Sequence, residues 1–200
     1  DPAPLDAAVW QKLGDFAAAG RGVGIFLGRN ADQGVETFNK EAAQALLPGK
    51  LVRQVRSPDG SLHLAPRTFE HPTLASLREV AGTIPWDAFP VFRYWQLGEL
   101  AAGASAVIPL NDYGPALLER TVGRGRALTM TTPVSDNPNR DPWHLLPAGD
   151  SAWPFFLLSR EMAAWLVGSS DQQLNFYAGQ PVVLQLNPKK PFNSYVLTQP

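Results

Sequence analysis

Side chains able to do chemistry are sparse in this sequence. Its 200 residues include no cysteine and three histidines. Without thiols the chain forms no disulfide, no thiolate metal site and no cysteine nucleophile. His63 stands between Leu62 and Leu64 in a predicted strand, so the period of two turns it outward if the leucines face the core. His71 precedes Pro72, which biases it toward an extended conformation and a structural place in a turn. His144 follows Trp143 in a polar loop, with Asp136, Asp141 and Asp150 close in sequence. A hydrolase using Asp136 and His144 is the acid–base reading open to that loop. A metal there would need ligand spacing of the HExxH kind, which is absent, so neither a metal nor a cofactor is expected.

Two glycine-rich stretches and one carboxylate pair complete the inventory. Residues 20–24 (GRGVG) follow a predicted helix and precede a predicted strand, the reverse of the order a dinucleotide-binding loop requires. Helix termination and close helix–sheet packing account for them better. Gly123-Arg124-Gly125-Arg126 has the donors to hold a phosphate, but a turn between strands is the simpler reading. Asp112 and Glu119 are candidates to pair as carboxylates. If the chain binds a small molecule, open α/β sheets place it beyond the carboxyl ends of strands, here at Gly28, Arg29, Asn30, Ser135 and Asp136. The aromatic cluster Trp86, Phe89, Phe92, Tyr94 and Trp95 offers a sugar-binding or partner surface, although core packing suits its density better.

Composition narrows the classes of partner. Seventeen Lys and Arg against eighteen Asp and Glu leave a net charge of −1. Such a balance gives no footprint for nucleic acid or an anionic membrane. A 44% hydrophobic fraction in 200 residues supports a substantial core, enough for one domain of moderate size with a small appendage. The most apolar stretch, residues 153–167, is interrupted by Arg160 and Glu161 and is too short to span a bilayer, so direct membrane insertion is not expected. The chain begins at Asp1 without an initiator methionine, which suggests a fragment of a longer protein.

The elements that must position these residues follow from periodicity. Residues 6–19 predict an amphipathic helix, with Val9, Trp10, Leu13, Phe16 and Ala17 at helical spacing, Asp6 as cap and Gly20 as stop. Residues 23–27 predict a buried parallel strand. A second helix is predicted over 35–47, ended by Pro48 and Gly49. Residues 51–56 and 61–65 flank Ser57-Pro58-Asp59-Gly60 and predict a hairpin. A short helical piece opens at His71-Pro72, and a strand is predicted over 91–97. Residues 104–110, 117–122 and 126–132 predict three strands whose short connections make them antiparallel neighbours. A polar loop, 133–150, leads to a helix capped by Ser151, lined by Phe155, Leu158, Met162 and Trp165 and closed by Gly168. Strands at 182–186 and 195–197 predict a truncated β-rich module over 173–200, after an α/β domain over 1–172. The pattern argues for a three-layer α/β sandwich with a mixed sheet.

Three segments carry a family resemblance. Residues 16–28 (FAAAGRGVGIFLG) resemble the helix–glycine–strand signature of class I glutamine amidotransferase-like domains. Residues 46–51 (LLPGKL), with the His71-Pro72 pair, are similar to a branch found in large bacterial membrane-anchored proteins related to the aerotolerance-type BatA proteins. Residues 120–133 (RTVGRGRALTMTTP), then Leu145-Leu146-Pro147 and the closing helix, complete the likeness over about residues 6–170. The resemblance implies a flavodoxin-like sandwich beside a membrane-helix pair and a von Willebrand factor A domain. It also implies a membrane-associated position, on the extracytoplasmic side of the inner membrane.

The resemblance includes a departure. Active members of the family place a cysteine, or in trehalose-utilisation-like relatives a histidine, directly after the strand matching residues 23–27. Here Leu27 and Gly28 stand at that place, and amidotransferase chemistry needs an activated thiolate beside a histidine. The expectation is therefore a non-catalytic interaction or scaffold domain, working through protein partners or other domains of its own chain. The alternative is a small-molecule binding domain using the vestigial cleft.

Overall fold

The structure is a computed structural model that describes residues 4–134, 141–148 and 152–168. Ser135, Asp136, Ser151 and the whole predicted module 173–200 lie outside the described residues. Helix α1 (Ala7–Ala18) starts as the sequence predicts, with the Asp6 side chain accepting a hydrogen bond from the Val9 amide at 2.8 Å. That bond satisfies one of the amides a helix start leaves open. Trp10, Gly14 and Ala17 form the buried stripe, and Gly20 leaves the helix at φ +106°, a conformation that favours glycine.

Strand β1 (Gly22–Phe26) pairs in parallel with a later strand, β6 (Gly125–Met130), from Gly22 opposite Arg126 to Phe26 opposite Met130. The predicted meander is present as β4 (Ala104–Pro109), β5 (Pro115–Val122) and β6, with antiparallel neighbours throughout. The sheet order is β1-β6-β5-β4, so the α/β fold has a mixed sheet.

Period-two alternation divides the sheet between two cores. Leu117, Leu128 and Met130 face the closing helix α4 (Trp153–Val167) through Phe155, Leu158 and Met162. Leu118, Ala127, Val23 and Ile25 face the other way, toward Trp10 and Ala17 of α1. Helices therefore cover both faces. Close approach explains two of the glycines: a Cβ on Gly22 would stand 2.3 Å from the Leu166 carbonyl oxygen of α4, and one on Gly125 2.3 Å from the Ala17 carbonyl oxygen of α1.

Two predicted elements form differently. The helix over 35–47 breaks into α2 (Val35–Phe38) and α3 (Glu41–Gln44). Asn39 causes the break: its side chain accepts from the Leu51 amide and donates to the Leu51 carbonyl, both at 2.8 Å. A side chain that pairs with a strand in this way competes with helix continuation, and Lys40 is extended.

The predicted hairpin also repairs. The turn at 57–60 forms, with the Gly60 amide on the Ser57 carbonyl at 3.0 Å. However, β2 (Gly49–Arg56) pairs antiparallel with β3 (Arg93–Leu100) rather than with residues 61–65. The eight residues of β3 match the eight of β2. The arm after the turn contributes only isolated bridges, Leu62 to Val91 and Leu64 to Leu110. Of the aromatic cluster, Phe89, Tyr94 and Trp95 are buried core residues. Among the described residues, no helix is long and apolar enough to cross a membrane.

Candidate functional site

The carboxyl end of β1 is closed. Leu27 is 0% exposed and its amide donates to the Met130 carbonyl at 2.9 Å. Gly28 is buried, and its carbonyl accepts from the Trp95 indole Nε1 at 3.0 Å. The strand end thus presents main chain already engaged and an aliphatic side chain facing the core. Neither can act as a nucleophile or a ligand.

The exposed chemistry begins one residue later. Arg29 opens a 3-10 helix (Arg29–Gly34) and its guanidinium donates to the Asp141 carbonyl oxygen, with Nη1 3.7 Å from the Asp141 carboxylate. Arg93, the first residue of β3, donates to the other carboxylate oxygen of Asp141. Arg56 closes β2 directly opposite Arg93 in the antiparallel register. The hydrogen bond from Arg93 is the main reason the Asp141 carboxyl is held below its usual range, and the charges of Arg93, Arg29 and Arg56 add to it. Beside Arg56, Arg93 and Asp141 lies a groove of about 320 Å³, lined also by Pro58, Phe92 and Pro142. Asp141 holds a φ of +52°, a left-handed conformation uncommon outside glycine and the short polar residues.

Of the predicted ligand residues, Gly28 is buried with its carbonyl on Trp95, Arg29 bonds Asp141 and Asn30 is half-buried in the 3-10 helix. Arg56 and Arg93 were not singled out by the sequence, because the signal is a cross-strand pairing and the hairpin expected there hid it. Asp141 was grouped with His144, but the two diverge. His144 is buried, with Nε2 2.7 Å from the Pro133 carbonyl and Nδ1 3.2 Å from the Leu146 amide. The imidazole is a brace between two loop segments.

A second cluster, enclosed rather than grooved, surrounds Glu119 of β5. Its Oε2 lies 3.1 Å from His71 Nε2, and its Oε1 accepts from Trp165 Nε1 at 2.7 Å. The Arg126 guanidinium stacks over the Trp165 ring at 3.5 Å, with its Nε 3.9 Å from Oε1. His71 caps the 3-10 helix Pro72–Thr83 by accepting from the Thr73 amide through Nδ1, which assigns the ring proton to Nε2 and makes it the donor to Glu119. Burial acts to raise the Glu119 carboxyl, but the hydrogen bonds from His71 and Trp165, then the electrostatic attraction of His71 and the charge of Arg126, outweigh it and hold the group below its usual range.

The expected pairing of Asp112 with Glu119 does not occur. Asp112 instead accepts from the Gly114 amide at 2.9 Å and from the Tyr94 hydroxyl at 3.1 Å. Burial, then the Asp112 charge, pushes Tyr94 up to about 12. The 123–126 stretch is a turn whose two guanidinium groups separate, Arg124 to the Ala19 carbonyl at 3.1 Å and Arg126 to Trp165. His63 is half-buried between the buried Leu62 and Leu64. Among the described residues no group of three or more acidic, histidine or cysteine side chains is placed to hold a metal.

No protein-family model matches the chain, and no curated protein is similar to it in sequence. Solved structures are similar in fold. Cytoplasmic protein STM1381 from Salmonella typhimurium LT2 superposes with a TM-score of 0.55 at 15% identity, over 79% of this chain and 60% of that one. Cytoplasmic protein STM3548 from Salmonella typhimurium superposes with a TM-score of 0.53 at 16% identity, over 74% of this chain and 58% of that one. The chain therefore aligns with about three fifths of the length of each, and what it shares with them is an α/β fold.

Proposed function

We propose that this chain is a non-catalytic interaction or scaffold domain built on a flavodoxin-like, class I glutamine amidotransferase-like sandwich. It serves a larger bacterial membrane-associated protein, beside a von Willebrand factor A domain and on the extracytoplasmic side of the inner membrane. One observation carries the non-catalytic part of this reading. Where active members of the resembled family hold a reactive side chain, Leu27 is 0% exposed and the Gly28 carbonyl is tied to Trp95. A reaction needs a group within reach of substrate, and none stands there. The hydrolase reading through Asp136 and His144 draws no support from a histidine whose ring nitrogens are engaged by main chain. Small-molecule binding is the second reading, and the groove beside Arg93 and Asp141 favours it.

The test has two arms. The purified protein is assayed against glutamine, p-nitrophenyl acetate and p-nitrophenyl phosphate, and titrated calorimetrically with the adjoining domains of its parent protein, the von Willebrand factor A domain first. The expected result is no turnover above buffer and a saturable association. Turnover that co-purifies with the protein and is lost in a single-residue variant would overturn the non-catalytic reading. No association with any adjoining domain would overturn the scaffold reading.

A further inference from the structure

Edge strands present unpaired N–H and C=O groups, and proteins guard them with charge, proline, bulges or a covering segment. Three strands here carry such a guard. β2 has Lys50, Arg53 and Arg56 along its length. β3 is tied by its Trp95 amide to the Thr131 carbonyl at 2.9 Å. β4 has a register shift between Ala106 and Ile108, ends in Pro109 and is bridged there by the Ala65 amide on the Pro109 carbonyl at 2.8 Å. β1 differs. Its sequence, Gly22-Val23-Gly24-Ile25-Phe26, has no charge, no proline and no register shift, and among the described residues β6 is its one strand partner. The ladder fixes what the other edge presents. The Leu27 amide donates to the Met130 carbonyl and the Arg126 amide to the Arg21 carbonyl, so the odd-numbered residues bond β6. Bonding residues alternate along a parallel pair, and Gly22, Gly24 and Phe26 therefore turn their N–H and C=O groups away from it. Gly24 is exposed.

We infer that β1 is the interface between two copies of this chain, joined edge to edge as antiparallel strands about a two-fold axis at Gly24. A row of main-chain donors and acceptors at strand spacing is matched by another strand, and the sequence of β1 fits itself. A two-fold axis makes the contact self-complementary. Centred on Gly24, it sets Gly24 against Gly24, and Gly22 and Val23 of one copy against Phe26 and Ile25 of the other. Every outward N–H and C=O of the strand then gains a partner, whereas any other centre leaves part of its five residues unmatched. Val23 and Ile25 lie on the α1 side, where directly opposed β-branched residues pack well. Phe26 lies on the α4 side, and opposite Gly22 it meets the Leu166 that already covers that glycine. No like charges are brought together within the ladder. Five residues make less than a standard interface, so the dimer is expected to exchange rapidly and to dissociate on dilution. The inference goes beyond the scaffold reading, which concerns other partners.

The experiment uses the whole chain. Sedimentation equilibrium is expected to show a monomer–dimer equilibrium, and amide exchange followed by NMR to show Gly24 and Phe26 better protected at high protein concentration than at low. Gly24→Pro removes a donor that β6 does not use, so the far-UV spectrum should hold. Association should weaken by about tenfold or more, because each copy loses a hydrogen bond. Register is read by cross-linking, since the chain has no cysteine of its own. Directly opposed residues of a non-hydrogen-bonded pair stand about 4.5 Å apart at Cα, within disulfide reach. Val23→Cys mixed with Ile25→Cys should therefore cross-link on oxidation, while neither variant alone links to itself. If Gly24→Pro misfolds, the cross-link and the concentration dependence of the parent still decide. A parent that stays monomeric at NMR concentrations overturns the inference, and protected Gly24 and Phe26 amides in that monomer would assign the edge to another segment of the same chain. A dimer that persists in Gly24→Pro with its β1 amides unprotected assigns the contact elsewhere and overturns it equally. A monomer leaves the scaffold reading standing, and failure to associate with the adjoining domains leaves the dimer standing.

Discussion

Replacing Glu119 with glutamine is the sharpest test of the enclosed cluster. The carboxylate accepts from two donors at once, His71 Nε2 and Trp165 Nε1. The His71 Nδ1 accepts from the Thr73 amide at 3.3 Å and lies 2.8 Å from the Thr73 hydroxyl, so the other tautomer would give up the amide bond and the helix cap. A glutamine amide offers one acceptor and one donor group. Either its NH₂ meets the imidazole or indole N–H, leaving one donor facing another, or the imidazole changes tautomer and leaves the Thr73 amide without its acceptor. The His71 and Glu119 side chains are each 20% exposed, so water relieves little of that conflict. An unsatisfied buried donor costs about 1–3 kcal/mol. For a chain of this size each kcal/mol moves the melting temperature by about 2–4 °C, so a mid-range loss lowers it by roughly 4–8 °C. Circular dichroism melts of the parent and Glu119→Gln give the difference directly.

The pH dependence has a definite sign. Glu119 titrates below its usual range in the folded protein, so in acid the unfolded chain takes up its proton first, near pH 4.3. Its contribution is therefore present above that pH and is lost as pH falls through the folded value. The gap between parent and variant should narrow in acid, because a protonated Glu119 resembles glutamine. A variant as stable as the parent at neutral pH, or a gap that stays constant into acid, would refute the cluster as described.

Three further outcomes are expected. Gly22→Ala forces a Cβ to 2.3 Å from the Leu166 carbonyl oxygen and should cost about 1–3 kcal/mol by overpacking, read as a lower urea midpoint. Tyr94 ionises at about 12 against an ordinary tyrosine near 10. The stability it contributes should thus be lost as pH rises between those values, and Tyr94→Phe should remove that part of the alkaline loss in denaturation curves. Leu27→Cys places a thiol at a side chain with 0% exposure; a thiol reagent should label it only on unfolding, and rapid labelling of the native protein would show that the strand end is open.

Local signals were legible in the sequence where one residue decides one feature. Asp6 and Gly20 bracket α1 because capping acts within a turn of the chain. The meander was legible because short turns constrain strand direction whatever surrounds them. The break at Asn39 was not, since it depends on Leu51, twelve residues away in a strand. The same reason hid the groove. The segment 61–65 alternates as a strand should, yet Leu62 and Leu64 are buried with isolated bridges while β3 takes the place beside β2. With that pairing misassigned, nothing linked Arg56 to Arg93. Glu119, His71 and Trp165 likewise come from β5, a 3-10 helix and α4, and meet only once α4 lies on the sheet.

The two clusters occupy opposite ends of the parallel pair β1 and β6, and their electrostatics differ in kind. At the Gly22–Arg126 end, Glu119 meets Arg126 and the His71 and Trp165 donors, with the charges paired and largely enclosed. At the Phe26–Met130 end, Arg29 and Arg93 share the solvent-facing carboxylate of Asp141, with Arg56 opposite Arg93. A fold optimised for stability alone has no need of the second arrangement, because replacing Arg56 would remove a repulsion and disturb little packing. Functional sites are where such local conflicts are kept. The closed strand end and the arginines beside it therefore differ in kind: one is packed and engaged by main chain, the other is exposed and keeps a cross-strand repulsion.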